Sequence, residues 1–174
     1  MTVTVLLIAL QGCSTRYIVP SPEYTDDGSE ANQHSRLIDA PRHRLFQIIT
    51  DETQFRQICP EGTIVGHEDP LPYQVGTVIR TTIDHIFTLN WQTQVVEITP
   101  NRKIRLRFLD GFFAGGTELW ELRQEDRGTR ISHTIIVNPK GLIRTLIWHL
   151  KVRGKHDRMV EIVLDNLQTL CETS

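Results

Sequence analysis

The sequence contains no apolar run near the ~20 residues that a membrane-spanning helix needs; the opening run, residues 3–10, stops well short. Cysteine is scarce. The three at positions 13, 59 and 171 have no zinc-ligand spacing and form no even disulfide framework. Aromatic residues make up only 7%, and neither charge sign dominates, with 19 Lys and Arg against 21 Asp and Glu. A chain of net charge −2 has no general attraction for nucleic acid, so no nucleic-acid partner is expected. There is no Gly-rich phosphate loop, no nucleophile-elbow serine and no HExxH pair. No cofactor is therefore expected, and no residue is nominated as catalytic. What is present is globular: 39% hydrophobic and 23% charged residues in a chain of 174. A chain of that size buries ~70% of its unfolded surface, enough for one real core.

The first thirty residues differ in composition from the rest. The run at residues 3–10 ends in Leu10-Gln11-Gly12-Cys13, which resembles a bacterial lipobox with Cys13 as the lipid-modified residue. No Lys or Arg precedes Cys13, so the positive n-region of a signal is missing. A misassigned start is the competing reading. Pro20, Pro22, Asp26, Asp27, Gly28 and Ser29 then suit a tether. The expected division is residues 1–33 as apolar segment and tether, and 34–174 as the domain. Localisation follows the same fork: cytoplasmic, or membrane-tethered through Cys13.

From His34 the pattern is regular. Residues 35–38 read as a short strand broken by Asp39-Ala40-Pro41, and Pro41 opens a helix with Leu45, Phe46, Ile48 and Ile49 on its apolar side. A second short helix over residues 51–58 ends at Cys59-Pro60. Strand-like segments follow at 63–67, 77–83, 86–98, 103–109, 117–122 and 129–137. In the fourth of these, Ile104, Leu106 and Phe108 alternate with Lys103, Arg105 and Arg107, as in an antiparallel strand with one face in water. Gly115-Gly116 marks a bend. Residues 141–171 read as one helix of ~46 Å, long enough to cross a whole sheet. This order implies an α+β architecture, with a curved antiparallel sheet wrapped around a long C-terminal helix.

Residues 34–172 resemble the START-like SRPBCC superfamily, the helix-grip fold of polyketide cyclase/dehydrase-like and coenzyme Q-binding START-type proteins. Four motifs in register carry the resemblance. They are Leu37-Ile38-Asp39-Ala40-Pro41 with Leu45-Phe46 and Ile49-Thr50-Asp51; Val75-Gly76-Thr77; Val95-Val96-Glu97-Ile98-Thr99-Pro100; and Gly128-Thr129-Arg130-Ile131. The resemblance implies a cavity between sheet and helix that takes lipids, quinones, polyketides or hormones. It implies no shared catalytic set.

On a uniform helical wheel, Leu142, Leu146, Val160, Leu164 and Leu167 share the face turned to the sheet, with His149, Arg153 and His156 among them. Those three are candidate polar anchors in an apolar pocket, Arg153 suiting a carboxylate or phosphate head. The competing reading leaves residues 151–158 in solvent. His133 alternates in phase with Ile131 and Ile135, and is either an inward anchor or a satisfied core histidine. Trp91 and Trp120 are candidate walls, Trp148 falls off the central face, and Arg80 is a further candidate inward group. His149 and His156, seven apart, stand ~10 Å apart along a helix, too far to share a metal; no metal site is expected.

Between residues 140 and 158, six Lys and Arg face one acid, Asp157. Such a helix either meets an anionic surface or is simply solvated. The expected function is binding or carrying a small hydrophobic molecule between sheet and C-terminal helix. The alternatives are a cyclase- or dehydratase-type enzyme on a polyketide-like substrate, and a module docking on a membrane or partner through the basic helix.

Overall fold

The computed structural model describes residues 16–18, 29–67, 71–83 and 89–173. Cys13 and the sequence-assigned strand start at residue 86 lie outside them. Eight antiparallel strands form one sheet: β1 (Arg16–Ile18), β2 (Glu30–Ile38), β3 (Thr63–His67), β4 (Val78–Ile83), β5 (Leu89–Thr99), β6 (Lys103–Phe108), β7 (Thr117–Glu125) and β8 (Gly128–Val137). Their spatial order is β1-β2-β8-β7-β6-β5-β4-β3. Among the described residues, only the pairing of β2 with β8 joins strands distant in sequence. β2 begins earlier than the sequence pattern suggested, and β1 pairs with its residues 31–33, so the sheet extends into the segment that composition marked as a tether.

Two short helices fill the gap between β2 and β3. In α1 (Arg42–Thr50), Leu45, Ile48 and Ile49 are buried, one helical stripe turned to the core. α2 (Glu52–Ile58) is capped by Asp51, whose carboxylate accepts from the Gln54 N–H at 3.0 Å. On β6, Ile104, Leu106 and Phe108 are buried, while outward Lys103 and Arg105 pair with Glu97 on β5. A bulge between Val95 and Glu97 shifts the register of β5 by one residue. Gly128, at φ 136°, is required by space as well as conformation. A Cβ there would stand 2.2 Å from the Ile38 carbonyl oxygen, so the β7–β8 turn and the end of β2 meet only over a hydrogen.

The C-terminal helix runs over residues 142–172, but it is not uniform. α3 (Leu142–Ile147) passes through a π-helical turn at Trp148–Val152 into α4 (Arg153–Glu172). Val160, Val163, Leu164 and Leu167 of α4 are buried against the sheet, the i, i+3, i+4, i+7 spacing of one helical face. The wheel fails upstream of the π turn. Leu142 is 91% exposed and Leu146 59%, whereas Trp148 is fully buried. A π turn holds more residues than an α turn and rotates everything before it. The inward slot expected for Leu146 therefore goes to Trp148, whose indole N–H donates to Glu30 Oε2 at 3.2 Å.

The core divides in two. The larger cluster joins α1, α2, the centre of the sheet and α4. A smaller one, Phe108, Ile135, Val137 and Trp148, lies under the π turn, with Trp91, Phe112, Phe113 and Val152 packed against it.

Candidate functional site

Between the two apolar clusters lies a layer of buried polar side chains. Strand alternation places them. On β2, Asn32 and His34 share the inward parity of buried Ile38, and both are fully buried. On β7, Glu118 precedes Trp120 on the inward face, and on β8 His133 points inward opposite Trp120. From α4 come buried His156 and half-buried Asp157.

These groups touch. Glu118 Oε1 accepts from the Trp120 indole N–H at 2.9 Å and lies 3.3 Å from His133 Nε2. The His133 and Trp120 ring centroids are 4.3 Å apart, and His133 stacks on His156 at 5.6 Å with 29° between planes. His156 also meets His34 edge-on at 5.9 Å and Phe113 at 6.2 Å. His34 Nδ1 lies 2.6 Å from Glu161 Oε1, and its Nε2 lies 3.1 Å from Asp157 Oδ1. Asn32 Nδ2 donates to that same Asp157 oxygen.

Several polar atoms in this layer have no hydrogen-bond partner among the described residues: Asn32 Oδ1, His133 Nδ1 and both ring nitrogens of His156. Asp157 Oδ1 comes no closer than 3.7 Å to His156 Nδ1, too far for a hydrogen bond. Burial pushes the His156 pKa down to about 4; Asp157 opposes the shift, and the neighbouring His133 and His34 add to it. At neutral pH the ring is uncharged, with one donor and one acceptor both unused. Asp157 goes the other way: burial resists its ionisation, but the His156 ring, Asn32 and His34 together hold it down to about 2. Glu118 follows the same logic. Burial disfavours its charge, yet contacts from His133 and Trp120 keep the carboxyl below its ordinary range.

Of the sequence candidates, the structure brings His133, His156 and Trp120 into this layer, and Trp91 onto the smaller apolar cluster beside it. It separates the others. His149 is on the exposed side of the π turn, 3.2 Å from Glu30 Oε1, and Leu146 is in solvent for the phase reason given above. Arg153 is half-buried where the π turn joins α4. Arg80 is exposed because its neighbour Ile79 takes the inward parity of β4. Sequence reasoning missed Asn32, His34, Glu118 and Asp157. The signal for the first two was their in-phase spacing with Ile38, hidden by starting the strand at Ser35.

A cavity of about 40 Å³, lined by Ile49, Phe55, Tyr73, Ile79, Glu118 and Trp120 among others, reaches the edge of the polar layer. A depression of about 870 Å³ is open and lies on the opposite face of the sheet among charged residues such as Lys103, Arg123, Glu125 and Arg130. Arg130 and Arg123 there pair with Glu125, so an apolar molecule gains little from it.

No protein-family model matches the chain, and no curated protein sequence matches it. Solved structures do. The ginseng (Panax ginseng) major latex-like protein 151 superposes with a TM-score of 0.68 at 9% identity, covering 83% of this chain and 98% of that one. Ara h 8.0201 gives 0.66 at 11%, covering 84% and 100%. TTHA0849 from Thermus thermophilus gives 0.64 at 20%, covering 82% and 98%. The chain shares with these structures the helix-grip fold, one curved antiparallel sheet and a long C-terminal helix.

Proposed function

We propose that this helix-grip chain binds a small amphipathic molecule between the sheet and the C-terminal helix, with its polar group on His133 and His156. One observation carries the reading: His133 Nδ1 and both ring nitrogens of His156 are buried without a partner among the described residues. Leaving such groups unpaired costs ~1–3 kcal/mol each, and a ligand's polar head recovers that cost. Trp120 and Trp91 supply apolar walls, where burial contributes ~25 cal/mol per Å².

A space of about 40 Å³ holds roughly one water. The ligand's apolar part therefore enters by displacing side chains, and the smaller cluster of Phe112, Phe113, Trp148 and Val152 is the part to move. It lies under an irregular helix turn, whereas the larger cluster is anchored by α1, α2 and α4. Beside it, exposed Leu142, Ile143, Leu146 and Leu150 lie among Lys140, Arg144 and Lys151. Apolar side chains rimmed by cations suit contact with an anionic membrane, from which such a molecule would be collected.

A second reading is acid–base chemistry on the bound molecule. It is favoured by the convergence of His133, backed by Glu118, with an uncharged His156 at 5.6 Å. Either reading is tested first by occupancy. Titration with 8-anilinonaphthalene-1-sulfonate in EDTA-containing buffer should show saturable one-to-one binding. His133→Leu and His156→Leu should each weaken it about tenfold, the loss of one buried hydrogen bond. Absence of saturation, or binding indifferent to both substitutions, would contradict the proposal.

A further inference from the structure

We propose that His34, His156 and Asp157 form a binding site for a borderline divalent transition-metal ion, of the Zn²⁺ or Fe²⁺ kind. One donor atom from each residue lies within 4.8 Å of the other two. Three donors held tetrahedrally at ~2.1 Å from an ion stand ~3.4 Å apart. Two of the three separations bracket that value, 3.1 Å from His34 Nε2 to Asp157 Oδ1 and 3.7 Å from His156 Nδ1 to the same oxygen, and the third lies within 4.8 Å. Small side-chain rotations close the site.

The surroundings argue for an ion as well. His34 has the outer partner typical of a ligating histidine, with Nδ1 2.6 Å from Glu161 Oε1. That contact fixes the ring and turns Nε2 on Asp157. Glu161 is itself held by Arg36, 3.3 Å from Oε2. Asn32 Nδ2 fixes the Asp157 carboxylate, while Asn32 Oδ1 is left buried without a partner. His156 offers two buried ring nitrogens without a hydrogen-bond partner among the described residues.

Two imidazoles and a carboxylate select a borderline ion over Mg²⁺ or Ca²⁺, which prefer all-oxygen sites. Three protein donors leave at least one coordination position open. The site shares His156 with the proposed ligand pocket but rests on its own geometry and needs no organic ligand.

The test is titration of the EDTA-stripped full chain with Co²⁺, followed by its visible d–d absorption. One Co²⁺ per chain is expected, displaced by Zn²⁺ and unaffected by millimolar Mg²⁺. His156→Leu and Asp157→Asn should each weaken binding at least a hundredfold, and the exposed His43→Gln should leave it intact. Ring-nitrogen NMR of the wild type with Zn²⁺ supplies a readout that needs no variant. The signals of His34 and His156 should shift and those of exposed His43 and His149 should not. Binding below one-tenth of an equivalent, Co²⁺ uptake that survives both substitutions, or shifts confined to exposed histidines would overturn the site. A chain that binds Co²⁺ but not the anilinonaphthalene probe would retain the metal site and lose the ligand reading; the reverse result would do the opposite.

Discussion

At the scale of single residues, partners decide behaviour more than residue type does. The rings of His34 and His133 each lie within 6 Å of His156, yet the three have different neighbours: two carboxylates for His34, one for His133, and no hydrogen-bond partner among the described residues for His156. The same principle governs Cys59, a free thiol at the core's edge. Burial, with the Glu118 charge adding to it, pushes its pKa up to about 12. Thiolate is the reactive form, so at pH 8 the folded chain holds about a thousandfold less of it than an ordinary cysteine. Iodoacetamide labelling followed by mass spectrometry should find Cys59 nearly inert in the folded protein and reactive in urea. Comparable rates in both states would contradict the burial. The linkage sign follows: the folded thiol keeps its proton longer, so the unfolded state ionises first. Stability falls as pH rises from 9 towards 12, and Tyr73, raised by burial and by Glu52, adds to the fall.

At the scale of elements, the π turn at Trp148–Val152 decides how the long helix presents itself. It buries Trp148 and turns Leu142 and Leu146 outward. Trp148→Ala should therefore destabilise the fold by ~3–5 kcal/mol, read from urea unfolding. Loss of less than ~1 kcal/mol would mean the ring is not packed as described. The double change Leu142→Ser, Leu146→Ser should leave stability within ~0.5 kcal/mol, because neither side chain is covered. The same pair should lower co-sedimentation with phosphatidylserine vesicles at least fivefold at low salt. Binding that ignores lipid charge, or survives the substitutions, would remove the membrane from the account.

At the scale of the whole molecule, the fold was legible because its signals are periodic and mutually consistent. Alternation at Lys103–Phe108, the Pro41 helix start and the long C-terminal segment each point to one sheet gripped by one helix. The candidate site was only half legible. His133 and His156 could be found by phase, since strand β8 and helix α4 are regular on both sides of them. Leu146 and His149 were misplaced because a π turn leaves no mark in a wheel drawn at constant pitch. Asn32 and His34 were overlooked because they precede the apolar end of β2, where polar residues resemble a linker until their partners on α4 are known. Tertiary pairing over more than a hundred positions makes that layer, and no local pattern encodes it. The central claim is that this layer receives the polar end of a small molecule. Its most direct test is native mass spectrometry of the full chain after exposure to a lipid extract of its own host. The expected spectrum shows one organic molecule per chain, released under denaturing conditions and absent from the His133→Leu, His156→Leu double variant. A wild-type chain that stays at its bare mass, or a double variant equally loaded, would contradict it.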